Sequence, residues 1–313
     1  VEMLGQIIKG EIRGMYIMGE NPAMSDPDTH HARAALAQLD FLLCQEIFLT
    51  ETCAFADVIL PASAFPEKSG SFTNSNRQVQ LARPALKLLG ETKQDWEIIT
   101  LVAKEMGLNW HHDGVSAVYE EMRQTMPSIK GISWQRLVAA GAVTYPCADA
   151  TDPGQPVIFT NGFPTADGRM KLVPVDLLPP AELPDADYPT ILTTGRLLEH
   201  WHTGAMTRRA NILDGMEWAA IAHLHPADMA AQSLQQGDEI TISTRRGSIT
   251  VPVRGDRDVA RGMVFVPFCF AEGAANILTT PALDPYGKIP EFKFCAARVE
   301  KTPTAPTMGH NLP

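Results

Sequence analysis

The first third of the sequence alternates short apolar runs with helical patterns, and this alternation limits most strongly which folds are open to the chain. Residues 14–18, 41–45 and 57–61 are apolar runs with the character of buried strands. Helical spacing fills the gap between the first two runs, after Pro27 and Asp28. Strand, helix and strand in short succession predict a parallel α/β sheet.

Ligands of parallel α/β sheets bind beyond the carboxyl ends of the strands. In this sequence those ends fall at Gly19–Glu20–Asn21, at Gln45–Glu46 and from Pro61 onward. The argument is geometric, since no Gly-x-Gly-x-x-Gly motif accompanies it.

After Pro189 the pattern changes from mixed to mainly β. Short strand-like runs occur at 188–192, 221–225, 239–244, 248–253, 262–268 and 296–299, with one short helix at 226–234. Several short strands with one helix predict a compact β-barrel. Residues 141–156 and 178–189 are rich in proline and lack periodicity. The expected division is therefore a partial α/β domain (1–140), a connecting segment (141–187) and a barrel domain (188–313).

Composition excludes several classes of function. The formal net charge of −10 argues against broad electrostatic capture of nucleic acid. The five cysteines are widely spaced and form no Cys-x-x-Cys pair, so reduced buried thiols are expected rather than a metal or cluster site. No apolar run is long enough to span a membrane, and the first ten residues do not resemble a signal peptide. A cytoplasmic location is expected.

The stretch from Thr193 to Arg209 is unusually dense in hydrogen-bond donors. It reads Thr-Thr-Gly-Arg-Leu-Leu-Glu-His-Trp-His-Thr-Gly-Ala-Met-Thr-Arg-Arg. Its two glycines, Gly195 and Gly204, would let the backbone approach a ligand, and its three arginines suit phosphate oxygens. On residue types alone, a solvated polar loop explains the stretch equally well. The polar segment 67–80, with Lys68, has the same two interpretations.

Four motifs carry a resemblance to a known family. They are Tyr-Ile-Met-Gly-Glu-Asn-Pro at 16–22, Ala-Asp-Val-Ile-Leu-Pro at 56–61, the stretch 194–209 and Pro-Glu-Phe-Lys-Phe-Cys-Ala at 290–296. Together they resemble the molybdopterin oxidoreductase family, and within it the C-terminal part of the catalytic (alpha) subunit of molybdenum- or tungsten-dependent formate dehydrogenases. The likeness runs in order over essentially the whole chain.

The resemblance implies oxidation of formate to carbon dioxide at a bis-molybdopterin guanine dinucleotide centre with molybdenum or tungsten. It also implies that the barrel is a double-psi β-barrel and that the first sheet is the tail of an α/β domain. The family places cofactor contacts at positions that match Gly19, Glu20, Asn21, Gln45, Glu46, Lys68, Asp95, Thr194, Gly195, Arg196, Leu197, Glu199, His200, Trp201, His202, Thr203, Phe268, Asn276 and Lys293. Alternatives are a helix cap for Asp95 and core packing for Phe268.

No catalytic residue and no metal ligand is assigned within this chain, because the family's metal-ligating cysteine and iron–sulfur motif have no counterpart in the sequence. The resemblance therefore implies a fragment that lacks formate oxidation by itself. Its expected partners are the upstream part of the same subunit, iron–sulfur and flavin/NAD-binding subunits, and formate, with no nucleic acid and no membrane segment. Two alternatives stay open: a nitrate reductase-like enzyme, or a non-catalytic structural relative like the large iron–sulfur subunit of respiratory complex I.

Overall fold

The structure, a computed structural model, describes residues 1–303 and divides into two compact units. The first unit contains residues 1–59 and 178–303, and the second contains residues 60–177. These limits differ from the domain limits expected from the sequence, since the second unit begins inside the expected α/β domain and ends inside the connecting segment. The last ten residues of the expected barrel domain, 304–313, lie outside the described residues.

The first unit begins with a small parallel sheet. Its elements are α1 (Glu2–Ile8), β1 (Gly14–Met18), α2 (Pro22–Ser25), α3 (Thr29–Leu36), β2 (Phe41–Glu46), a 3₁₀ turn (Thr52–Phe55) and β3 (Val58–Pro61), whose last two residues are assigned to the second unit; the sheet order is β1-β2-β3. Strands β1 and β2 run parallel, with Gly14 opposite Phe41 and Met18 opposite Gln45. The parallel α/β prediction for the first third is confirmed.

The second unit combines an antiparallel sheet with three helices. It contains β4 (Gly70–Thr73), β5 (Gln78–Ala82), α4 (Asp95–Glu105), α5 (Val115–Thr125), α6 (Trp134–Ala140) and β6 (Ala142–Thr144), with sheet order β4-β5-β6. Strand β4 lies within the segment 67–80, for which a polar loop was one of two interpretations, and β5 begins in that segment. Because β4 and β5 pair through their backbones, strand formation there does not depend on apolar side chains alone.

The remainder of the first unit is a closed barrel of six strands. Its elements are β7 (Thr190–Gly195), α7 (Asn211–Met216), β8 (Ala222–Leu224), α8 (Pro226–Ala231), β9 (Glu239–Ser243), β10 (Ser248–Gly255), β11 (Met263–Pro267) and β12 (Cys295–Lys301). The strand order is β10-β8-β11-β7-β12-β9. Strands β9 and β10 form the expected hairpin, whereas β7 pairs in parallel with β11. The barrel prediction is confirmed.

Alternating apolar residues of these strands fill the barrel. Leu192, Leu224, Ile240, Ile242 and Val264 are all buried in one continuous core. The alternation that predicted each strand therefore also selects the residues that face inward. Burial of this surface is the main stabilising contribution to the barrel.

The five cysteines are free and buried, as expected. Burial raises the pKa of Cys44 and of Cys269 to about 12, so both thiols stay protonated near neutral pH. Within residues 1–303, no three histidine, cysteine or acidic side chains converge to hold a metal ion. None of the helices in this part of the chain has the length and apolar character required to cross a bilayer.

A partly buried ion pair connects the barrel to the segment that leads into it. The carboxylate of Glu182 accepts hydrogen bonds from Arg246 at 2.6 and 3.1 Å and from the amide of Ala296 at 2.7 Å. Burial by itself raises the pKa of Glu182, but the hydrogen bonds from Arg246 and Ala296 outweigh it and hold the pKa below its ordinary value.

We expect Glu182→Gln to lower the free energy of unfolding by about 2 kcal/mol near neutral pH. Because the folded-state pKa of Glu182 is depressed, its ionised form stabilises the fold above the unfolded-state pKa, and this contribution is lost as pH falls through the folded-state pKa. The difference between wild type and variant should therefore shrink towards acid pH in denaturant unfolding curves. Glu300→Gln, which alters an exposed pair with Arg298, is the control. Parallel pH curves for wild type and Glu182→Gln would contradict the assignment.

Candidate functional site

The carboxyl ends of β1 and β2 meet, as the sequence predicts. The amide of Gly19 donates a hydrogen bond to the carbonyl of Gln45 at 3.0 Å. Gly19 has a φ of 63°, which a glycine adopts without strain, and the chain turns there out of the sheet. The structure thus brings together the segments 19–21 and 45–46, which were predicted to hold one guanosine end.

Two side chains at these strand ends bind their own protein. Buried Asn21 donates to Glu51 Oε2 at 2.7 Å and accepts from the amide and hydroxyl of Thr52 at 3.1 and 2.8 Å. Gln45 is buried and accepts from the hydroxyl of Tyr16. These contacts fix the shape of the strand ends, so any direct ligand contact must come from the neighbouring backbone or from other side chains.

The two acidic residues of these segments lie nearer to solvent. Glu20 is exposed, and Glu46 is half-buried, with its Oε1 accepting from the amide of Ile47 at 2.8 Å. A carboxylate at this edge can accept from a guanine edge or a ribose hydroxyl, which is the chemistry expected for the site.

Lys68 and Asp95 form an ion pair within the second unit. The ammonium of Lys68 also donates to the carbonyl of Ser63 at 3.1 Å. Asp95 is the first residue of α4 and Gln94 is its N-cap, so the alternative interpretation of Asp95 as the cap is wrong. The pair borders a cavity of about 260 Å³ with Trp96 on its wall. Because Asp95 neutralises Lys68, this pair suits a polar, uncharged base better than a phosphate.

In the stretch from Thr193 to Arg209, His200 organises the loop. It is buried, its Nε2 donates to the carbonyl of Glu217 at 2.7 Å, and its ring packs edge-on against Phe270. Since a carbonyl only accepts, Nε2 carries the proton, and the hydroxyl of Thr207 can donate to Nδ1 across 3.2 Å. Thr207 also accepts from the amide of Trp201 at 3.0 Å. No local pattern in the sequence marks Thr207 for this role.

Two of the three arginines that suit phosphate oxygens are bound within the protein, and Arg208 is the first of them. Arg208 Nε donates to Asp214 at 2.8 Å, its Nη1 donates to both oxygens of Glu272 at 2.6 and 2.7 Å, and its Nη2 donates to the carbonyl of Trp218 at 3.2 Å. Its guanidinium also lies over Phe270. Arg208 therefore supports the loop, because its donors are already bound within the protein.

Arg209 is likewise engaged. It donates to the carbonyls of Ala205 and Leu49 at 2.5 and 3.1 Å, and it lies over the ring of Phe48. It thereby joins the loop to Leu49, which follows the predicted segment 45–46 by three residues.

The third arginine, Arg196, forms a cationic site with Lys293. Arg196 lies 5.7 Å and the Lys293 ammonium 5.6 Å from the ring centre of Phe268. Lys293 donates to the carbonyl of Thr194 at 2.5 Å, and partial burial together with the charge of Arg196 lowers its pKa. Among residues 1–303, neither cation forms an ion pair with a carboxylate, so the two like charges favour an anion between or beside them.

Both glycines of the loop are required by packing. A Cβ on Gly195 would lie 2.4 Å from the ring of Phe265. A Cβ on Gly204 would lie 2.6 Å from the carbonyl oxygen of Cys269 and 2.7 Å from the Arg208 side chain, at a φ of 75°. Close approach of the chain to itself therefore accounts for both glycines, and close approach to a ligand stays a prediction.

The remaining predicted residues divide into supporting and accessible groups. Asn276 is buried and donates to the carbonyls of Met24 and Ser25 at 3.1 and 3.0 Å, and the hydroxyl of Thr194 donates to the carbonyl of Phe292 at 2.8 Å. Leu197 and Phe268 pack against the barrel core while staying half-buried. Glu199, Trp201, His202 and Thr203 are half-buried or exposed, and the rings of Trp201 and His202 contact each other.

Comparison with known proteins is consistent with this geometry. Residues 190–296 match the family model of the molydopterin dinucleotide binding domain, and residues 1–105 match that of molybdopterin oxidoreductase. The chain is 44% identical to the F420-dependent formate dehydrogenase subunit alpha of Methanocaldococcus jannaschii and 35% identical to the assimilatory nitrate reductase catalytic subunit of Bacillus subtilis, over 93% and 95% of this chain. It spans 43% of the length of each of these relatives.

A solved structure, acetylene hydratase from Pelobacter acetylenicus, superposes with a TM-score of 0.75 over 93% of this chain and 44% of that one. The sequence identity is 20%, so this likeness concerns the fold alone.

Proposed function

Because the chain belongs to the molybdopterin oxidoreductase family, we propose that it is the cofactor-binding C-terminal portion of a formate dehydrogenase catalytic subunit. The observation that carries the cofactor role is the pair of cations, Arg196 and Lys293, which both lie within 6 Å of the ring centre of Phe268 and have no carboxylate partner among the described residues. The likeness to a formate dehydrogenase alpha subunit supports formate as the substrate.

The residues present fit a bis-molybdopterin guanine dinucleotide. Arg196 and Lys293 supply the positive charge that a pyrophosphate needs in a protein of net charge −10. The exposed rings of Trp201 and His202 are placed for the pterin, and Glu20 and Glu46 for one guanosine. The ion pair of Lys68 and Asp95 provides a donor and an acceptor for another nucleotide base.

When bound, the molybdenum or tungsten centre supplies the two-electron oxidation of formate to carbon dioxide. This chain's own residues hold and orient that group. The supporting contacts of His200, Arg208 and Asn276 keep the loop and the barrel in one arrangement, which preserves the spacing of the cation pair.

Several finer features follow from the same proposal. The parallel pairing of β7 with β11 and of β8 with β10, within an otherwise antiparallel closed barrel, supports the double-psi form. For the domain limits of this chain we keep 1–140, 141–187 and 188–313. The buried free thiols support a cytoplasmic enzyme. Electrons would pass to iron–sulfur and flavin subunits with NAD as acceptor. F420, named for the archaeal relative, is the alternative acceptor.

The alternative substrate is nitrate. The identity to the nitrate reductase is 35%, against 44% for the formate dehydrogenase, and the two matches cover the same share of their relatives. Formate is therefore the better supported substrate. A third possibility is a non-catalytic structural relative, but Arg196 and Lys293, two cations without a carboxylate partner among the described residues, give it no support.

The cofactor role is tested by removing the two cations. We expect Arg196→Ala and Lys293→Ala each to weaken cofactor retention by about ten- to a hundredfold, because each removes a charge-assisted contact worth about 1.5–3 kcal/mol. Metal and pterin contents of the purified polypeptide are the measurement, with thermal unfolding as a check on folding. Arg257→Ala, an exposed arginine of the same unit, should leave both contents unchanged. Full cofactor content in the double variant would refute the proposed site.

A further inference from the structure

A row of outward-facing side chains crosses the barrel and ends at Gly195, the last residue of β7. In the strand pairing, Phe265 of β11 stands opposite His223 of β8 on one side and opposite Thr193 of β7 on the other. The residues before and after Phe265, and those before and after His223, are buried in the barrel core. Because side chains alternate along a strand, Phe265 and His223 form a cross-strand pair on the outer face of the barrel.

Phe265 packs directly on the backbone of Gly195. A Cβ on Gly195 would lie 2.4 Å from Cε2 and 3.0 Å from Cζ of the Phe265 ring. Pro267, which stands opposite Gly195, has no amide hydrogen to contribute to the sheet. The carbonyl of Gly195 instead accepts a hydrogen bond from the amide of Phe268 at 3.2 Å. The end of β7 therefore depends on the ring of Phe265 as well as on backbone pairing.

The imidazole of His223 supports that ring. The two rings meet edge to face, with their centres 5.5 Å apart and their planes at 83°. His223 Nδ1 lies 3.0 Å from Oδ2 of Asp256, whose Oδ1 accepts from the amide of Asp258 at 2.9 Å. The hydrogen bond from His223 holds the pKa of Asp256 below its ordinary value, so the carboxylate is ionised near neutral pH and Nδ1 carries the proton. The carboxylate thus sets the orientation of the imidazole.

Arg254, the other charged side chain on this row, is held by a different carboxylate. It stands opposite His223 on β10 and donates to both carboxylate oxygens of Glu217 at 2.9 and 3.3 Å. The carbonyl of Glu217 in turn accepts from His200 in the loop after β7. Since Glu217 holds Arg254, the guanidinium does not displace His223 from its own carboxylate partner, and the imidazole keeps one orientation.

Both cations of the proposed pyrophosphate site are attached to the end of β7. Arg196 follows Gly195 directly in the chain, and the Lys293 ammonium donates to the carbonyl of Thr194 at 2.5 Å. A displacement of these two residues of β7 therefore moves both charges relative to the ring of Phe268, close to which they lie.

We propose that Phe265 and His223 are positioning residues for the cation pair. Asp256 orients His223, His223 supports the ring of Phe265, and Phe265 fixes the backbone at Gly195 from which Arg196 reaches the anion. The inference rests on the proposed function, in which the cation pair binds the pyrophosphate. It makes the pyrophosphate affinity depend on side chains that do not contact the anion and act only through the backbone of β7.

The first test measures anion affinity and cation placement separately, in the purified chain without cofactor. Titration calorimetry gives the affinity for inorganic pyrophosphate. Nuclear magnetic resonance gives the ring-current shift that Phe268 imposes on the side chain of Arg196, with Arg196→Ala used to assign the resonance. We expect Phe265→Leu to weaken pyrophosphate binding about tenfold and to reduce the ring-current shift, because the smaller side chain leaves space beside Gly195.

Variants of Asp256 separate positioning from general stability. Asp256→Ala removes the acceptor of His223 and should weaken pyrophosphate binding about threefold. Asp256→Asn keeps a hydrogen bond to Nδ1, since its amide can donate or accept, and should restore the affinity and the shift to near their wild-type values. Asp238→Ala is the matched control, because Asp238 likewise accepts from one side chain, Lys301 at 2.6 Å, and from one amide, Gln235 at 2.8 Å. It should lower the thermal midpoint as Asp256→Ala does and leave both readouts unchanged.

The positioning role is overturned if Phe265→Leu keeps both wild-type readouts, or if Asp238→Ala changes them as much as Asp256→Ala does. Failure of the wild-type chain to bind pyrophosphate, with the ring-current shift responding to the variants as expected, would count against the proposed function alone. Pyrophosphate binding that depends on Arg196 and Lys293 but not on Phe265 or Asp256 would leave the proposed function standing and refute this inference.

Discussion

Gly204→Ala is expected to lower the free energy of unfolding by about 3 kcal/mol or more. The backbone of Gly204 has a φ of 75°, which costs an alanine roughly 1–2 kcal/mol. The added Cβ would lie 2.6 Å from the carbonyl oxygen of Cys269, an atom that can move only with its backbone. Overpacking of this kind adds about 1–3 kcal/mol. Denaturant unfolding of the purified chain measures the loss.

Gly215→Ala provides a matched control. Gly215 lies within α7, and no atom would stand within 4 Å of its added Cβ. Since alanine favours a helix over glycine by up to about 1 kcal/mol, this variant should be neutral or slightly more stable. Equal stability of the two variants would show that the loop relaxes around the new methyl group, and the packing role of Gly204 would be wrong.

Arg208→Ala is expected to destabilise the protein by about 3 kcal/mol. The substitution leaves Asp214 and Glu272 without their common partner and removes a donor from the carbonyl of Trp218. Hydrogen bonds to charged groups contribute about 1.5–3 kcal/mol each, and partial solvent exposure of both carboxylates limits the sum. Loss of the contact with Phe270 adds about 0.5–1 kcal/mol.

Comparison of Arg208→Ala with Arg196→Ala separates support from binding. Arg196 lies over the ring of Phe268 and is exposed, so its removal should change the free energy of unfolding by less than about 1 kcal/mol. We expect Arg196→Ala to lose cofactor while keeping stability, and Arg208→Ala to lose stability first. The reverse pattern would restore the idea that Arg208 holds the anion.

The sequence by itself determined the elements and their class. Apolar runs such as 14–18 and 41–45 predict buried strands, and the alternation in 239–244 and 248–253 predicts a hairpin, because the side-chain period of a strand is local and can be read from neighbours. The same patterns selected Leu192 and Ile240 for the barrel core. The motifs at 16–22 and 194–209 were sufficient to indicate the molybdopterin oxidoreductase family. The family models that match residues 1–105 and 190–296 support that indication.

Only the tertiary structure decided what the individual polar residues do. Arg196, Arg208 and Arg209 are chemically identical in the sequence, yet Arg208 binds a carboxylate 64 positions away and Arg209 a carbonyl 160 positions away, while Arg196 keeps its charge available. Gly204 likewise depends on the carbonyl of Cys269. Such partners are distant in the chain and leave no local signal, because a hydrogen bond or a steric contact is fixed by the position of both groups in space and not by the type of either one.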